Sequence, residues 1–242
     1  MLLCGNRWDG LMETVNRLPA GSARSLPEAV ARTLRHEVGD LLQTVYATAA
    51  ILQRRLPEGY VLERRILSDM RARAEVCKNL LDVVHDYVCP ITVSPQELDL
   101  ADVATALVTE ASSHHEKLHF HNEIAARPRV MADVRRLAQL GDCLLANACE
   151  AASHQIWFHT IADSASGTAQ WSIIDDGPGL PEDQLEYLFT PFFTRRHGHA
   201  GLGLALARKL VTLQGGEITA ENVPDGGFRV CVSFPLAGPS SG

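Results

Sequence analysis

DDGPGLPEDQLEYLFTPFFTRRHGHAGLGL, residues 175–204, carries two glycine-rich turns, Asp175-Asp176-Gly177-Pro178-Gly179 and Gly201-Leu202-Gly203. Between them lies a loop-prone segment with Pro191, Phe192, Phe193, Arg195, Arg196 and Gly198. Glycine lets backbone amides approach a ligand closely. A helix that starts just after a glycine turn points its first N–H groups at an anion. The spacing reads as a phosphate-bearing ligand held at two ends with a cover between them. One glycine turn would be weak evidence; two, with an Asn on an upstream helix and a distant His-Glu pair, form a constellation.

The flanking sequence supplies the frame for those turns. LHFHNEI, QIWFHTIAD, TAQWSIIDD, GEITAEN and GFRVCVSFPL alternate apolar and polar residues as strands do. ITVSPQELDL reads as a short strand followed by a helix from about Leu100. DVRRLAQLGDCLLANACEAA and the run from Leu202 to Gln214 read as helices, the second stopped by Gly215-Gly216. SASG and Pro224-Asp225-Gly226-Gly227 are turns. The order does not alternate regularly as a doubly wound fold would. A mixed, mostly antiparallel sheet covered by helices on one face fits it better.

Upstream the period changes to three and four. Leu26, Val30, Leu34, Val38, Leu41, Val45 and Leu52 mark one long helix, with Ser25, Pro27 and Glu28 reading as a capped start. Pro57-Glu58-Gly59 breaks it. Leu62, Ile66, Met70, Val76, Leu80, Val83, Val84 and Val88 mark a second helix that ends before Cys89-Pro90. One helical hairpin cannot bury both sides of its apolar stripe, so the expectation is a homodimer that closes a four-helix bundle. The fold class is α+β: residues 1–21 a lead-in, 22–90 the hairpin, 91–237 an α/β sandwich, 238–242 a tail.

With 46% hydrophobic residues, the 242-residue chain can build a real core. Its six cysteines form no CxxC pair, which excludes a sequence-evident zinc site or disulfide framework. No run approaches the ~18 apolar residues of a membrane span, and no signal peptide is evident, so a cytoplasmic setting is expected. Residues 22–90 hold ten Lys and Arg against nine Asp and Glu; residues 91–242 hold ten against eighteen. That acidic balance argues against a nucleic-acid surface.

Together these features resemble the histidine kinases of two-component signalling, whose ATP-binding domain is shared with gyrase, Hsp90 and MutL. The resemblance covers roughly residues 26–237. In LLANACEAA it implies that Asn147 ligates Mg²⁺, with Glu150 on the same helix face. In DDGPG it implies that Asp175 accepts from the adenine amino group, with Gly177 and Gly179 shaping the turn. Asp176 faces elsewhere. LFTPFFTRR resembles the box beside the ATP lid: Phe192 and Phe193 pack the lid, and Arg195 or Arg196 meets the γ-phosphate. Gly201, Leu202 and Gly203 would bring backbone amides to the phosphates. In TLRHEVGDLLQ, His36 is the implied phosphoacceptor and Glu37 the carboxylate that fixes its tautomer.

The departures from the family pattern carry information. Cys143 stands where a Glu, His or Asn is common, which implies weak hydrolysis of ATP by water. His199 and Ala200 replace a glycine and a hydroxyl residue. Asp40 and Leu41 replace the usual Asn or Thr and Pro, which puts phosphatase activity in question. The resemblance implies an ATP-dependent protein-histidine kinase with ATP and Mg²⁺ as cofactors and a response-regulator receiver as partner. Two alternatives stay open: a phosphotransfer or scaffold dimer with ATP as a structural ligand, and an ATPase or serine kinase on the same nucleotide domain. His85-Asp86 is a second His-acid pair on the other helix, and His114, His115, His119 and His121 form a surface cluster without matched thiols or carboxylates.

Overall fold

The computed structural model describes residues 25–163, 165–194, 200–224 and 226–237. The lead-in at 1–21, the tail at 238–242, and Arg195 and Arg196 lie outside the described residues. The chain divides into two compact units between Pro90 and Ile91.

The first unit is a helical hairpin of α1 (Leu26–Arg55) and α2 (Val61–Val88). Ser25 takes the N-cap position of α1, but its side chain makes no capping bond. The capping box expected there does not form. Pro27 sits in the first turn and has no N–H, so one of the amides that a cap side chain would bond is missing. Only alanines are fully buried on these helices, Ala29, Ala31 and Ala49 on α1 and Ala74 on α2. Arg71 ties the helices together: it donates to the Tyr46 hydroxyl (2.8 Å) and to Gln53 Oε1 (3.1 Å), and its guanidinium lies over the Tyr46 ring. Arg35 reaches Asp82 at 2.7 Å. Large apolar residues such as Leu41, Ile51, Leu62, Ile66 and Val76 stay exposed.

The second unit is an α/β sandwich, so the chain is α+β as expected. Its elements in order are β1 (Gln96–Asp99), α3 (Leu100–His114), β2 (His119–Ile124), β3 (Arg129–Ala132), α4 (Val134–Ala151), β4 (Gln155–Asp163), β5 (Thr168–Asp175), α5 (Glu182–Leu185), α6 (Gly203–Leu213), β6 (Glu217–Asn222) and β7 (Phe228–Pro235). The main sheet runs β2-β4-β5-β7-β6; only the β2–β4 pair is parallel. One face of it is buried through Ile156, Phe158, Trp171, Ile173, Val230 and Val232, against leucines of α3, α4 and α6. At Gly141 in α4 an added Cβ would lie 2.9 Å from the Trp171 ring, so this close approach of helix and sheet needs glycine. β1 and β3 form a separate two-stranded antiparallel sheet. β3 and the single turn α5 carry too few residues to show a period.

Asp133 fixes the start of α4. Its carboxylate accepts from the backbone amides of Arg135 (2.9 Å), Arg136 (3.2 Å) and Ser94 (2.8 Å). The Ser94 amide, against some burial, and then the helix amides hold this carboxyl below its usual range. Its own N–H donates to Gln214 Oε1 at 2.8 Å, which joins the start of α4 to the end of α6.

Candidate functional site

Asp175 is the last residue of β5 and is 2% exposed. Its Oδ1 accepts from the Gly177 amide at 2.9 Å. The turn after it leaves no room for side chains. A Cβ on Gly177 would lie 2.5 Å from the Ala151 carbonyl oxygen, and one on Gly179 (φ +67°) would overlap Asn222. Gly227 (φ +109°) packs against the Asp175 carbonyl in the same way. The turn therefore seats directly on the last turn of α4.

Asp176 secures that seat. Its carboxylate accepts from the backbone amides of Ser153 (2.7 Å) and His154 (3.0 Å), just past the end of α4. Burial opposes ionisation, but the amides of His154, Gln155 and Ser153 outweigh it and hold the carboxyl below its usual range. Asp176 thus points away from the Asp175 side chain and ties β5 to the helix that carries Asn147 and Glu150. Asn147 is half-buried, one turn before Ala151; Glu150 is exposed. Burial, then the Glu150 charge, pushes the neighbouring Cys149 thiol up to about 11.

The segment after α5 is pinned at both ends. Phe192 N–H donates to Gly201 O at 2.9 Å, and Gly201 (φ +63°) lies so close that a Cβ would sit 2.5 Å from Phe193 O. The two phenylalanines differ. Phe193 is half-buried with its ring 6.3 Å from that of Tyr187. Phe192 is 73% exposed and adopts φ +66°, so it does not pack against the domain as expected. A bulky residue in the left-handed region is strained, and the Gly201 hydrogen bond holds it there. Leu202 buries its side chain in the core, which leaves its backbone for a ligand. Gly203 opens α6, has no side-chain cap before it, and faces open space where a Cβ would be.

On the hairpin, His36 is exposed on α1 and its Nδ1 lies 3.2 Å from Asp40 Oδ2. The carboxylate beside the ring is therefore Asp40, one turn on, and no described residue pairs with Glu37. Adjacent helix residues diverge by about 100°, whereas residues four apart share a face. His85 is partly buried, 3.0 Å from Asp86 and 3.2 Å from Arg35 within the hairpin. His121 stacks on Trp157 and bonds Gln155. Among the described residues, no group of three or more His, Cys, Asp or Glu is placed to hold a metal ion. No helix among them is long and apolar enough to cross a membrane.

Sequence reasoning passed over Asn222. Its Oδ1 accepts from Leu180 N–H (2.8 Å) and its Nδ2 donates to Leu180 O (2.7 Å), so β6 holds the far end of the Asp175–Gly179 turn. Nothing local marks it, because its partner is 42 residues away.

Residues 132–238 match the model of the histidine kinase-, DNA gyrase B-, and HSP90-like ATPase family. The chain is 27% identical over 233 residues to the sensor histidine kinase ZraS of Klebsiella oxytoca, covering 90% of this chain and 50% of that protein. It is 30% identical over 213 residues to ZraS of Escherichia coli K12, covering 86% and 45%. The chain thus spans about half the length of the curated relatives it matches. Its fold is similar to that of full-length ShkA, solved in complex with AMPPNP, with a TM-score of 0.74 at 21% identity over 90% of this chain and 47% of that one.

Proposed function

We propose that this chain, whose residues 132–238 belong to the histidine kinase-, DNA gyrase B-, and HSP90-like ATPase family, is the catalytic core of a two-component sensor histidine kinase. It binds ATP, phosphorylates His36 and passes the phosphoryl group to an Asp of a response-regulator receiver. The observation that carries this reading is the seat of Gly177 on Ala151, where the buried Asp175 carboxylate and the Asn147 helix meet at one site.

In this reading Asp175 accepts from the adenine amino group; guanine would present a carbonyl there. Gly177 and Gly179 keep side chains out of the space the base needs. The backbone amides of Gly201, Leu202 and Gly203 meet phosphate oxygens at the start of α6, where unpaired N–H groups favour an anion. The positive end of α6, which has no side-chain cap, and the open space at Gly203 fit a polyphosphate. Glu150 lines the Asn147 face, Phe192 and Phe193 border the cover, and Arg195 or Arg196 answers the γ-phosphate charge. A single amide oxygen, that of Asn147, suffices for a Mg²⁺ that draws its other ligands from phosphate and water. When bound, the ion screens phosphate charge. Cys143 offers no base for water, which favours transfer to histidine over hydrolysis.

The exposed apolar residues of α1 and α2 support a homodimer in which two hairpins close a four-helix bundle. Reliance on ATP supports a cytoplasmic position, and the acidic balance of residues 91–242 gives nucleic acid no basic surface.

The test is incubation with γ-labelled ATP. The expected result is acid-labile, base-stable label that is lost in His36→Ala. Undiminished label in that variant overturns the proposal. ATP binding without label, with His36 labelled instead by a phosphorylated receiver, replaces it with a phosphotransfer scaffold.

A further inference from the structure

We propose that the groove between α3 and α4 is a docking site for one arginine side chain of a partner protein.

Leu107 and Ala111 of α3 and Leu145 of α4 form its apolar floor and are themselves nearly buried. Leu107 and Ala111 are four residues apart, as are Leu145 and Cys149, so each pair shares one helix face. Alanine at 111 and 146 leaves a gap of about 210 Å³ between the helices, room for one long side chain. Glu110 and Asp142 stand exposed at its edge, one on each helix. No described residue forms a hydrogen bond or ion pair with either carboxylate, and no Lys or Arg lines the groove. Partial desolvation, then the Glu110 charge, holds the Asp142 carboxyl above its usual range, as befits a carboxylate without a counter-charge.

The occupant follows from that chemistry. The groove also holds His114, His115 and the Cys149 thiol, yet no three such groups among the described residues are placed to hold a metal ion. An organic cation fits instead. Its body must be apolar to cover the floor, and its head must answer carboxylates on two helices. An arginine side chain has both parts: a methylene stem, and a planar guanidinium whose five N–H donors reach more than one acceptor. The groove is open and covers no more than one side chain, which gives a free small cation little affinity. Within a larger protein interface the same groove is an anchor pocket, the setting in which arginine is enriched. The eighteen acidic against ten basic residues of 91–242 favour the approach of a basic partner.

Titration of the full ¹⁵N-labelled chain with N-acetyl-arginine N-methylamide tests this, at about pH 8, above the ordinary range of imidazole. The expected result is saturable shifts at the amides of Leu107, Ala111, Leu145 and Ala146, with Kd on the order of 1–10 mM. Glu110→Gln and Asp142→Asn, both at exposed positions, should each weaken binding about threefold and together about tenfold. The citrulline analogue, equal in shape but uncharged, should bind at least about tenfold more weakly. ATP affinity should match the parent in the single and double variants, because neither carboxylate belongs to the nucleotide site. Absence of saturable shifts at those amides overturns the proposal, as does parent-like binding by the double variant or by the citrulline analogue. Butylguanidinium binding about tenfold tighter than the arginine probe also overturns it, in favour of a small-molecule site. A parallel loss of ATP affinity in the variants would return both residues to the nucleotide site and overturn it as well. None of these readouts depends on phosphorylation of His36.

Discussion

Asn222 holds Leu180 by both of its backbone groups, accepting from its N–H at 2.8 Å and donating to its carbonyl at 2.7 Å. The side chain acts as a short length of strand, and it also fills the space that a Cβ on Gly179 would need. Asn222→Ala removes two hydrogen bonds at once. The expected cost is about 1 kcal/mol, or a Tm lower by about 2–4 °C in a chain of this size. ATP affinity should fall several-fold, because the turn that follows Asp175 loses its outer support. Calorimetric titration with ATP and a thermal melt check both. Unchanged affinity with a lowered Tm would show that Asn222 serves only the fold.

Two glycines of the site make opposite demands. Gly177→Ala places a methyl 2.5 Å from Ala151 O and 2.6 Å from Asp175 Oδ1, both inside van der Waals distance, so the turn must leave α4. ATP binding should be lost with some loss of stability. Gly203→Ala meets nothing within 4 Å. Its Tm should match the parent within about 0.5 kcal/mol of stability, while ATP binding weakens about tenfold because the methyl enters the space assigned to phosphate. Parent-like ATP affinity in Gly203→Ala would remove that residue from the site.

Thr160 is fully buried on the inner face of β4, and its Oγ1 has no hydrogen-bond partner among the described residues. Removing a buried hydroxyl without a partner relieves a desolvation cost of about 1 kcal/mol or more. Thr160→Val should therefore leave the Tm unchanged or raise it. A fall equivalent to more than about 1 kcal/mol would mean that the hydroxyl is bonded, as to a buried water.

Asp133 links pH to stability. Its carboxyl is held below the ordinary range by backbone amides, Ser94 first, so it keeps its charge in the folded chain to lower pH than in the unfolded one. The stabilisation is fully present above the unfolded pKa and is lost as pH falls through the lowered folded value. Asp133→Ala should cost about 1 kcal/mol near neutrality as a lost N-cap. In denaturant titrations the gap to the parent should narrow below the ordinary carboxylate range. A gap that stays constant down to strongly acid pH would contradict this linkage.

Much of the molecule was legible in its sequence because the signals are local. The three- and four-residue spacing from Leu26 to Val88 needed no knowledge of distant residues. The alternation in QIWFHTIAD and TAQWSIIDD likewise reports which face of a strand is buried. Glycines at 177, 179 and 201 announced tight turns because only glycine enters such space cheaply. The partner of His36 was also within reach: Asp40 is one helical turn on, where i, i+4 spacing brings side chains together.

What the chain itself determined is which segments become helices, strands and tight turns, and which residue types could handle a nucleotide and a phosphoryl group. What only the tertiary structure decided is how those pieces are held. Asp176 ties β5 to the end of α4, Asn222 supports Leu180 from 42 residues away, Leu202 sinks into the core, and Phe192 stands out of it. The reason is physical. Helix and strand signals repeat along the chain and follow from backbone geometry. A hydrogen bond between distant segments leaves no periodic trace, because its partners become neighbours only when the sheet and its helices have packed.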